Sequence, residues 1–401
     1  MQIFLFCNAA VMSRTLYRPS SAFTHRNKVR LVRGGKEYFS TLKAMIGQAR
    51  LSFHLQVYIF QDDETGREVA QALTEAAGRG VKIYILADGY ASKELPDEFI
   101  SNLRSAGIHF RFFEPLLKSE HFYFGRRLHH KVAVADGYYS LVGGINISNH
   151  YNDVGDEPSW LDWALYAEGE ISRELQKVCV NLWTKPALRI KKKQLIHDVE
   201  QPLPDGECLV RLRRNDWVKR KNQISGSYVE MLQRATHDVI IMSSYFLPGR
   251  IIRHNLSRAS KRGVAVSVVV THESDVRLTK HAERYMYRWL LKRKIRIFEY
   301  TRSILHAKLA VSDHKWVTIG SYNVNDISAY ASVELNLDVR NEEFASIVQK
   351  RLLEIIQNDC VEVTEQSYVT RYNVFARFYQ YLSYWIVRML YYLFTFYFKQ
   401  K

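Results

Sequence analysis

Two histidines, His129 and His306, head the same run of spacings. In each case lysine follows at the second position (Lys131, Lys308) and aspartate at the seventh (Asp136, Asp313). A small pair stands at the fourteenth and fifteenth (Gly143 and Gly144, Gly320 and Ser321), and asparagine at the seventeenth (Asn146, Asn323). A single His-x-Lys is a weak signal, but six matched positions in two distant places are not an accident of composition. An imidazole, an ammonium and an amide donor together suit a tetrahedral anion. Imidazole can attack phosphorus and form a covalent intermediate while lysine and asparagine hold the non-bridging oxygens. A second imidazole can protonate the departing alcohol and deprotonate the incoming one. The duplication therefore implies two half-sites facing each other across one cleft. The competing reading is a duplicated structural hairpin whose histidines only satisfy local hydrogen bonds.

A metal site is the other chemical reading. Adjacent His129 and His130 point to opposite faces of a strand, and the nearby partners are lysines. Zinc needs three or four aligned His, Cys, Asp or Glu ligands, and magnesium needs clustered carboxylates. Neither pattern surrounds the motifs, so a mechanism without metal or other cofactor is expected.

These residues need strands to carry them. Val132 and Val134 alternate with Ala133 and Ala135, and Asp136-Gly137 has hairpin-turn chemistry. Leu309, Val311 and Asp313-His314-Lys315 repeat the arrangement, with Trp316, Val317 and Ile319 behind the turn. Strand periodicity puts His129 with Lys131, and His306 with Lys308, on one face. Gly143-Gly144 and Gly320-Ser321 are expected to leave room for a ligand to approach the backbone beside Asn146 or Asn323. Shortly after each motif one acidic residue sits at or within an alternating strand: Asp162 before Trp163 to Ala167, and Glu334 within Val333 to Leu337. Either carboxylate can orient an imidazole through its second ring nitrogen.

Around the motifs, helix and strand patterns alternate. Helices are expected over Lys36 to Arg50, Thr65 to Arg79 and Leu95 to Ala106, with strands over Ser52 to Phe60, Val81 to Leu86 and Ile108 to Phe113. Leu116 to Leu128, with Arg126 and Arg127, reads as a basic aromatic loop delivering the chain into the first motif. The same grammar returns from Ser227. Gly80-Val81 and Gly263-Val264 occupy equivalent places ahead of strands, so the whole unit is duplicated. This is an α/β class chain with sheets covered on both faces. We divide it into an arm (1–28), a first half (29–188), an inter-half segment (189–222) carrying Lys191-Lys192-Lys193 and Pro202-Leu203-Pro204, a second half (223–370) and a tail (371–401). Arg14 to Lys28 reads as linker.

The chain has 401 residues and a formal net charge of +16, which calls for an anionic partner but does not choose between nucleic acid and acidic lipid. Cys7, Cys179, Cys208 and Cys360 make no ligand pattern and read as reduced thiols of a cytosol-facing protein. Met1 to Met12 is apolar but lacks a basic leader and is too short to span a bilayer. In the tail, Phe375, Phe378, Tyr381, Trp385, Tyr392 and their aromatic neighbours are flanked by Arg371, Arg377, Lys399 and Lys401, and interrupted by Arg388. Aromatic side chains with basic ends favour the headgroup region, so an interfacial helix is expected. The alternative is a helix packed on the protein core.

The duplicated His-x-Lys-x4-Asp pattern followed by Gly-Gly/Ser-x-Asn resembles the signature of the phospholipase D superfamily, over about Lys28 to Tyr372. Within it the chain most resembles the bacterial cardiolipin synthases of the shorter type, which lack two N-terminal spanning helices. Gly34-Gly35-Lys36-Glu37-Tyr38-Phe39, Gly78-Arg79-Gly80-Val81, Asp88-Gly89-Tyr90, Gly143-Gly144-Ile145-Asn146 and Asp162 carry that likeness. The resemblance implies two pseudo-symmetric α/β/α sandwich halves with mixed sheets and one shared active-site cleft. It implies a phosphatidyltransferase that joins two phosphatidylglycerol molecules with release of glycerol. His129 would be the nucleophile and His306 the general acid, then base. Lys131, Lys308, Asn146 and Asn323 would hold the phosphoryl oxygens, and Asp162 and Glu334 would each orient the histidine of the opposite half. Asp136 and Asp313, the remaining motif residues of the catalytic set, would stabilise their hairpins. The place implied is the bacterial inner membrane, peripheral or monotopic and facing the cytoplasm, on an anionic surface and with no specific nucleic acid. His130 and Ser332 depart from residues common in the family, as does the segment Ile327-Ser328-Ala329-Tyr330. The rival functions are a phosphodiesterase or nuclease using the same histidines, and a non-catalytic anionic-lipid-binding protein.

Overall fold

The computed structural model describes residues 22–115, 126–155, 158–184, 202–204, 207–330 and 332–399. The apolar stretch at 1–12, the basic aromatic stretch at 116–125 and the lysine run at 191–193 lie outside the described residues. The first half contains β1 (Thr24–Arg33), α1 (Lys36–Gln48), β2 (Ser52–Val57), α2 (Glu64–Gly78), β3 (Lys82–Asp88), α3 (Asp97–Ser105), β4 (His109–Phe113), β5 (Arg127–Leu128), β6 (Val132–Ala135), β7 (Tyr139–Gly143), β8 (Trp163–Gly169) and α4 (Glu170–Trp183). Then come β9 (Glu207–Asp216), β10 (Lys221–Asn222), α5 (Gln223–Arg234), β11 (Asp238–Ser243), α6 (Arg250–Lys261), β12 (Ala265–Thr271), α7 (Arg277–Leu291) and β13 (Arg296–Tyr300). The chain continues through β14 (Lys308–Ser312), β15 (Trp316–Gly320), α8 (Asp326–Tyr330), β16 (Ser332–Arg340), α9 (Glu342–Asp359), β17 (Cys360–Val363), α10 (Glu365–Arg371) and α11 (Val374–Lys399).

Two mixed sheets of matching order result. The first runs β4-β3-β2-β6-β7-β8-β1, parallel through β4-β3-β2 and antiparallel after. The second runs β13-β12-β11-β14-β15-β16-β9 with the same change of direction, and β17 adds antiparallel at its outer edge. Three apolar layers hold them. One core lies between the first sheet and α1 to α3, and a second lies between the second sheet and α5 to α7. The third joins the inner faces of both sheets with α4 and α9. Both faces of each sheet are thus covered, as near-continuous apolar strands require. The fold is a pair of pseudo-symmetric α/β/α halves.

The symmetry extends to single residues. Gly80 and Gly263 both have φ of 91°, ending α2 and α6 where the backbone enters the left-handed region that glycine adopts freely. At the hairpins, Asp136 and Gly137 (φ 54° and 63°) and Asp313 and His314 (φ 51° and 53°) are left-handed at both central positions of a β-turn, closed by Tyr138 N–H on the Ala135 carbonyl and Lys315 N–H on the Ser312 carbonyl, within a three-residue loop. Each aspartate then ties its hairpin to the preceding helix-to-strand corner. Asp136 accepts the N–H groups of Arg50, Leu51 and Ser52 at 2.8 Å each. Asp313 accepts those of Thr236, His237 and Asp238 at 2.8–2.9 Å.

Two strands begin inside stretches whose composition reads as linker. β1 starts at Thr24 because Glu170, at the start of α4, accepts the N–H groups of His25 and Arg26 at 2.9 and 3.2 Å. β9 places Cys208, Val210 and Leu212 in the shared core while Arg211 and Arg213, on its other face, meet Asp338 and Glu230. Arginines on one face disguise that strand's alternation in the sequence. The tail forms α11, whose Tyr384, Val387 and Tyr391 pack with Ala282 and Met286 of α7. Arg388 pairs with Asp326 of α8 at 2.9 Å. The opposite side leaves Phe375 85%, Phe378 64% and Trp385 53% exposed. Among the described residues no helix is long and apolar enough to cross a membrane.

Replacing Asp136 by Ala strips the acceptor from three backbone donors at a partly buried corner. It should lower the unfolding free energy in urea by about 2–3 kcal/mol; a loss below about 0.5 kcal/mol, within the range of a neutral surface change, would contradict this account of the corner.

Candidate active site

Each motif histidine is delivered by a short backbone clasp to the other half. The N–H of His129 donates to the Val333 carbonyl at 3.0 Å, beside the parallel pairing of β5 with β16. The N–H of His306 donates to the Leu161 carbonyl at 2.8 Å. Val333 and Leu161 each precede the acidic residue of their own half, so the clasp carries a carboxylate across. Glu334 Oε2 lies 2.9 Å from Nδ1 of His129, and Asp162 Oδ2 lies 2.7 Å from Nδ1 of His306. Both carboxylates are fully buried. The residue ahead of each histidine is anchored in its own half: Leu128 N–H on Asp88 Oδ2 at 2.7 Å, and Leu305 N–H on Thr271 Oγ1 at 3.2 Å.

With each Nδ1 held by a carboxylate, each Nε2 is the working nitrogen. That of His129 meets no hydrogen-bond partner among the described residues, and its side chain keeps 15% of its surface exposed. That of His306 lies 3.3 Å from the hydroxyl of Tyr151. The rings of Tyr151 and Trp160, from the loop after the first motif, flank His306 with centroids 5.1 and 5.8 Å away. The side of His129 is covered by Tyr58 at 4.8 Å.

Lys131 and Lys308 are buried beside their histidines, and each ammonium donates to the carbonyl of the histidine two residues before it. Lys131 also lies over the Tyr58 ring at 4.8 Å, whereas Lys308 donates to Ser244 Oγ at 2.9 Å. Burial pushes the Lys131 ammonium down to about 7, with Glu334 opposing and Lys308 adding to the fall. It pushes Lys308 down to about 8, against the pull of Asp162 and Glu334. Burial also lowers both imidazoles; Glu334 partly restores His129, while Lys308, Lys131 and His129 depress His306 further. Both lysines thus act on both histidines, so the two half-sites share one electrostatic field. Asp162 is raised to about 7 by burial, with Lys308 pulling it back. An anion brought between the two ammoniums would favour their protonated forms.

The supporting residues fall into two groups. Asn146 is fixed by the Ile59 N–H on its Oδ1 (3.2 Å) and donates Nδ2–H to the Tyr151 hydroxyl at 2.8 Å. Asn323 is buried, and its Oδ1 has no partner among the described residues. The small residues do not leave ligand space of the kind expected from their size. A Cβ on Gly144 would stand 2.4 Å from Asp162 Oδ2, one on Gly143 2.4 Å from the Trp163 carbonyl, and one on Gly320 2.2 Å from the Leu335 carbonyl. The neighbouring strand and the orienting carboxylate fill the room. Ser321, the counterpart of Gly144, donates its hydroxyl to Glu334 and its carbonyl lies 3.1 Å from Nδ1 of His129. Asp136 and Asp313 are not brought to the imidazoles; they stand at the hairpin ends of β6 and β14, engaged with backbone. Spacing did not single out Tyr58, Tyr151, Trp160 or Ser244. His130 faces away, its Nδ1 3.0 Å from Gln56 Oε1, and burial drives it down to about 3. Among the described residues no group of three or more His, Cys, Asp or Glu side chains could hold a metal ion.

A family model described as "Cardiolipin synthase, PLD-like domain" matches residues 42–183 and 228–356. The chain is 35% identical over 347 residues to cardiolipin synthase B of Salmonella typhi, covering 84% of this chain and 83% of that one. To cardiolipin synthase B of Escherichia coli (strain K12) it is 34% identical over 346 residues, with the same coverage. Among solved structures, the fold is similar to phosphatidylserine synthase of Haemophilus influenzae Rd KW20, with a TM-score of 0.71 and 13% identity over 93% of this chain and 96% of that one. A polyphosphate kinase from Porphyromonas gingivalis follows with a TM-score of 0.53, 14% identity, and coverage of 82% and 50%.

An anion held by both ammoniums should bind less well as they lose their protons. Affinity for dibutyl phosphate, measured by calorimetry, is expected to fall as pH rises from about 7 to about 9, approaching tenfold per pH unit for each proton taken up on binding. A dissociation constant flat across that window would show that the lysines do not meet the anion.

Proposed function

The chain belongs to the cardiolipin synthase, phospholipase D-like family and is a phosphatidyltransferase, and we propose that it passes a phosphatidyl group from one phosphatidylglycerol to another, releasing glycerol. The observation that carries this reading is the crossed pairing: each imidazole is aimed by a carboxylate of the opposite half, with both buried lysines acting on both imidazoles. His129, with the open Nε2, is the nucleophile. It attacks phosphorus, the bond from phosphorus to the glycerol oxygen breaks, and His306 Nε2–H supplies the proton that leaves with glycerol. Arrival of the phosphodiester anion favours the protonated state that His306 needs for this step. A hydroxyl of the second phosphatidylglycerol then gives its proton to His306 Nε2 and its oxygen to phosphorus, and the phosphorus–nitrogen bond breaks to yield cardiolipin. Lys131 and Lys308, with Asn323 beside them, hold the non-bridging oxygens as charge rearranges.

The reading extends to place. The uncovered aromatic side of α11, with Phe378 and Trp385 foremost, and a net charge of +16 support docking on an anionic leaflet as a peripheral or monotopic protein. The leaflet proposed is the cytoplasmic side of the bacterial inner membrane. Arg388 of the same helix pairs with Asp326 of the second half, and Tyr391 shares an apolar cluster with Leu247, so the proposed docking helix is fixed to the catalytic body.

Purified protein given vesicles of pure phosphatidylglycerol should form cardiolipin and free glycerol in equal amounts. Quenched with phosphorus-labelled lipid, it should carry the label on His129, and His129→Ala should lose activity by about a thousandfold or more. Efficient DNA cleavage with phosphatidylglycerol untouched would reject this function, and label on His306 would reverse the two roles. The double substitution of Phe378 and Trp385 by Ala should weaken binding to anionic vesicles by at least about tenfold, from the apolar area no longer buried in the interface; unchanged binding would reject the docking side.

A further inference from the structure

Tyr151 belongs to no motif, yet it is 2% exposed and its hydroxyl stands against the acid–base nitrogen of His306. The polarity of its contacts can be read in one direction. The Ile59 N–H occupies Asn146 Oδ1, so the amide turns Nδ2 toward Tyr151 and donates to its oxygen at 2.8 Å. The phenolic hydrogen is then directed at His306 Nε2, 3.3 Å away, while Nδ1 faces Asp162 Oδ2 at 2.7 Å, with the Lys308 ammonium 3.0 Å from the same nitrogen and donating to the His306 carbonyl. A relay of donors thus runs from Ile59 through Asn146 and Tyr151 to His306 and ends on Asp162. It crosses from the first half to the second and leaves Nε2 as a capped lone pair. Among the described residues nothing equivalent caps His129: the position matching Tyr151 in the second half, five residues after the motif asparagine, is Ser328. Burial and the Asp162 charge both raise the Tyr151 phenol, so it stays protonated and remains a donor.

A neutral His306, with an unprotonated Nε2 under the Tyr151 hydroxyl, is the state left once the leaving alcohol has taken its proton. At that moment the enzyme carries a phosphatidyl group on His129 and a base able to activate whichever hydroxyl arrives. Water is small, abundant and chemically competent: its oxygen would bond phosphorus, its proton would go to Nε2, and the phosphorus–nitrogen bond would break to release phosphatidate. We propose that Tyr151 is a specificity-determining positioning residue that caps His306 Nε2 against water, so that the phosphatidyl group is passed to an alcohol and not hydrolysed. To reach Nε2, an incoming hydroxyl must displace a phenol pinned by Asn146. A lipid acceptor brings the binding energy of its headgroup and chains to that exchange, whereas a single water brings only what it loses elsewhere. The loop carrying Tyr151 and Trp160 therefore acts as a filter on the second step. The proposal rests on the transfer reaction assigned above and names what sets its fidelity.

The test is the product ratio of Tyr151→Phe, which keeps the ring and removes the hydroxyl. With phosphatidylglycerol vesicles, the ratio of phosphatidate to cardiolipin should rise by about fivefold or more, the factor carried by one net hydrogen bond. Glycerol release, which precedes both fates of the phosphatidyl group, should remain readily measurable, and this shows the variant folded and competent to form the intermediate. A parallel fall in both products with the ratio unchanged would overturn the proposal, since that is the effect of a merely structural residue. A lower ratio would overturn it too. The wild-type control separates the premises: if it forms no cardiolipin, the transfer reading fails on its own, whatever Tyr151→Phe does.

Discussion

Neither imidazole is oriented by its own half. Glu334 reaches His129 and Asp162 reaches His306, and every other feature of the centre follows from making those two crossings possible. The carboxylates are buried away from bulk solvent, and each accepts a hydrogen bond in place: from the Ser321 hydroxyl for Glu334, and from the Trp163 N–H for Asp162. The sheets must approach closely enough for β5 to pair with β16 and for Leu161 to bridge Leu305. Gly144 is small because the Asp162 carboxylate passes where a side chain would stand. At the matching place Ser321 is tolerated and used, because the longer Glu334 carries its carboxylate further from the backbone. The shared apolar core behind both sheets keeps this register, and burial there makes the protonated forms of Lys131 and Lys308 harder to hold.

Much of this is legible in the spacing. The alternation around Val132 and Leu309, together with the paired turns, places histidine and lysine on one face, and the structure has those strands and those turns. Asp162 and Glu334 stand out as single acids at the next alternating strand. What the spacing does not carry is direction. The glycines look like space for a ligand, and the space belongs to the neighbouring strand. Asp136 and Asp313 travel with the motif because the hairpin needs them, at the end away from the chemistry. Tyr151 and Trp160 sit in an irregular loop with no period to announce an inward face. Tyr58 and Ser244 occupy comparable strand ends but share no residue type, so a search for repeats passes over both. β9 is hidden in another way: arginines on its outer face, paired with Asp338 and Glu230, make a central strand look like solvated linker.

The tail satisfies two descriptions that the sequence sets against each other. Tyr384, Val387 and Tyr391 belong to the protein, and Phe375, Phe378 and Trp385 do not. Arg388, which breaks the apolar run and argues against a buried span, has its own partner in Asp326. An amphipathic helix of this kind has two apolar sectors divided by purpose, one fixed on α7 and one left uncovered. α7 meanwhile buries Lys280, Glu283 and Tyr287 in an ionic cluster with Glu299, and Glu283 accepts the Phe246 N–H next to the strand end that carries Ser244. The helix that bears the tail is therefore the helix that braces one side of the centre.

The exchange of carboxylates also bears on how such a molecule can change over time. A lone repeat could complete neither centre, and two identical copies meeting face to face would have to give both imidazoles the same surroundings. Joining them in one polypeptide removes that restriction. One side can acquire an aromatic cap while the other keeps an open nitrogen, and one ammonium can rest on a ring while its twin binds a hydroxyl. Division of labour between attacking and proton-handling groups is thus a freedom granted by covalent fusion, and the differences between equivalent positions record where it was used.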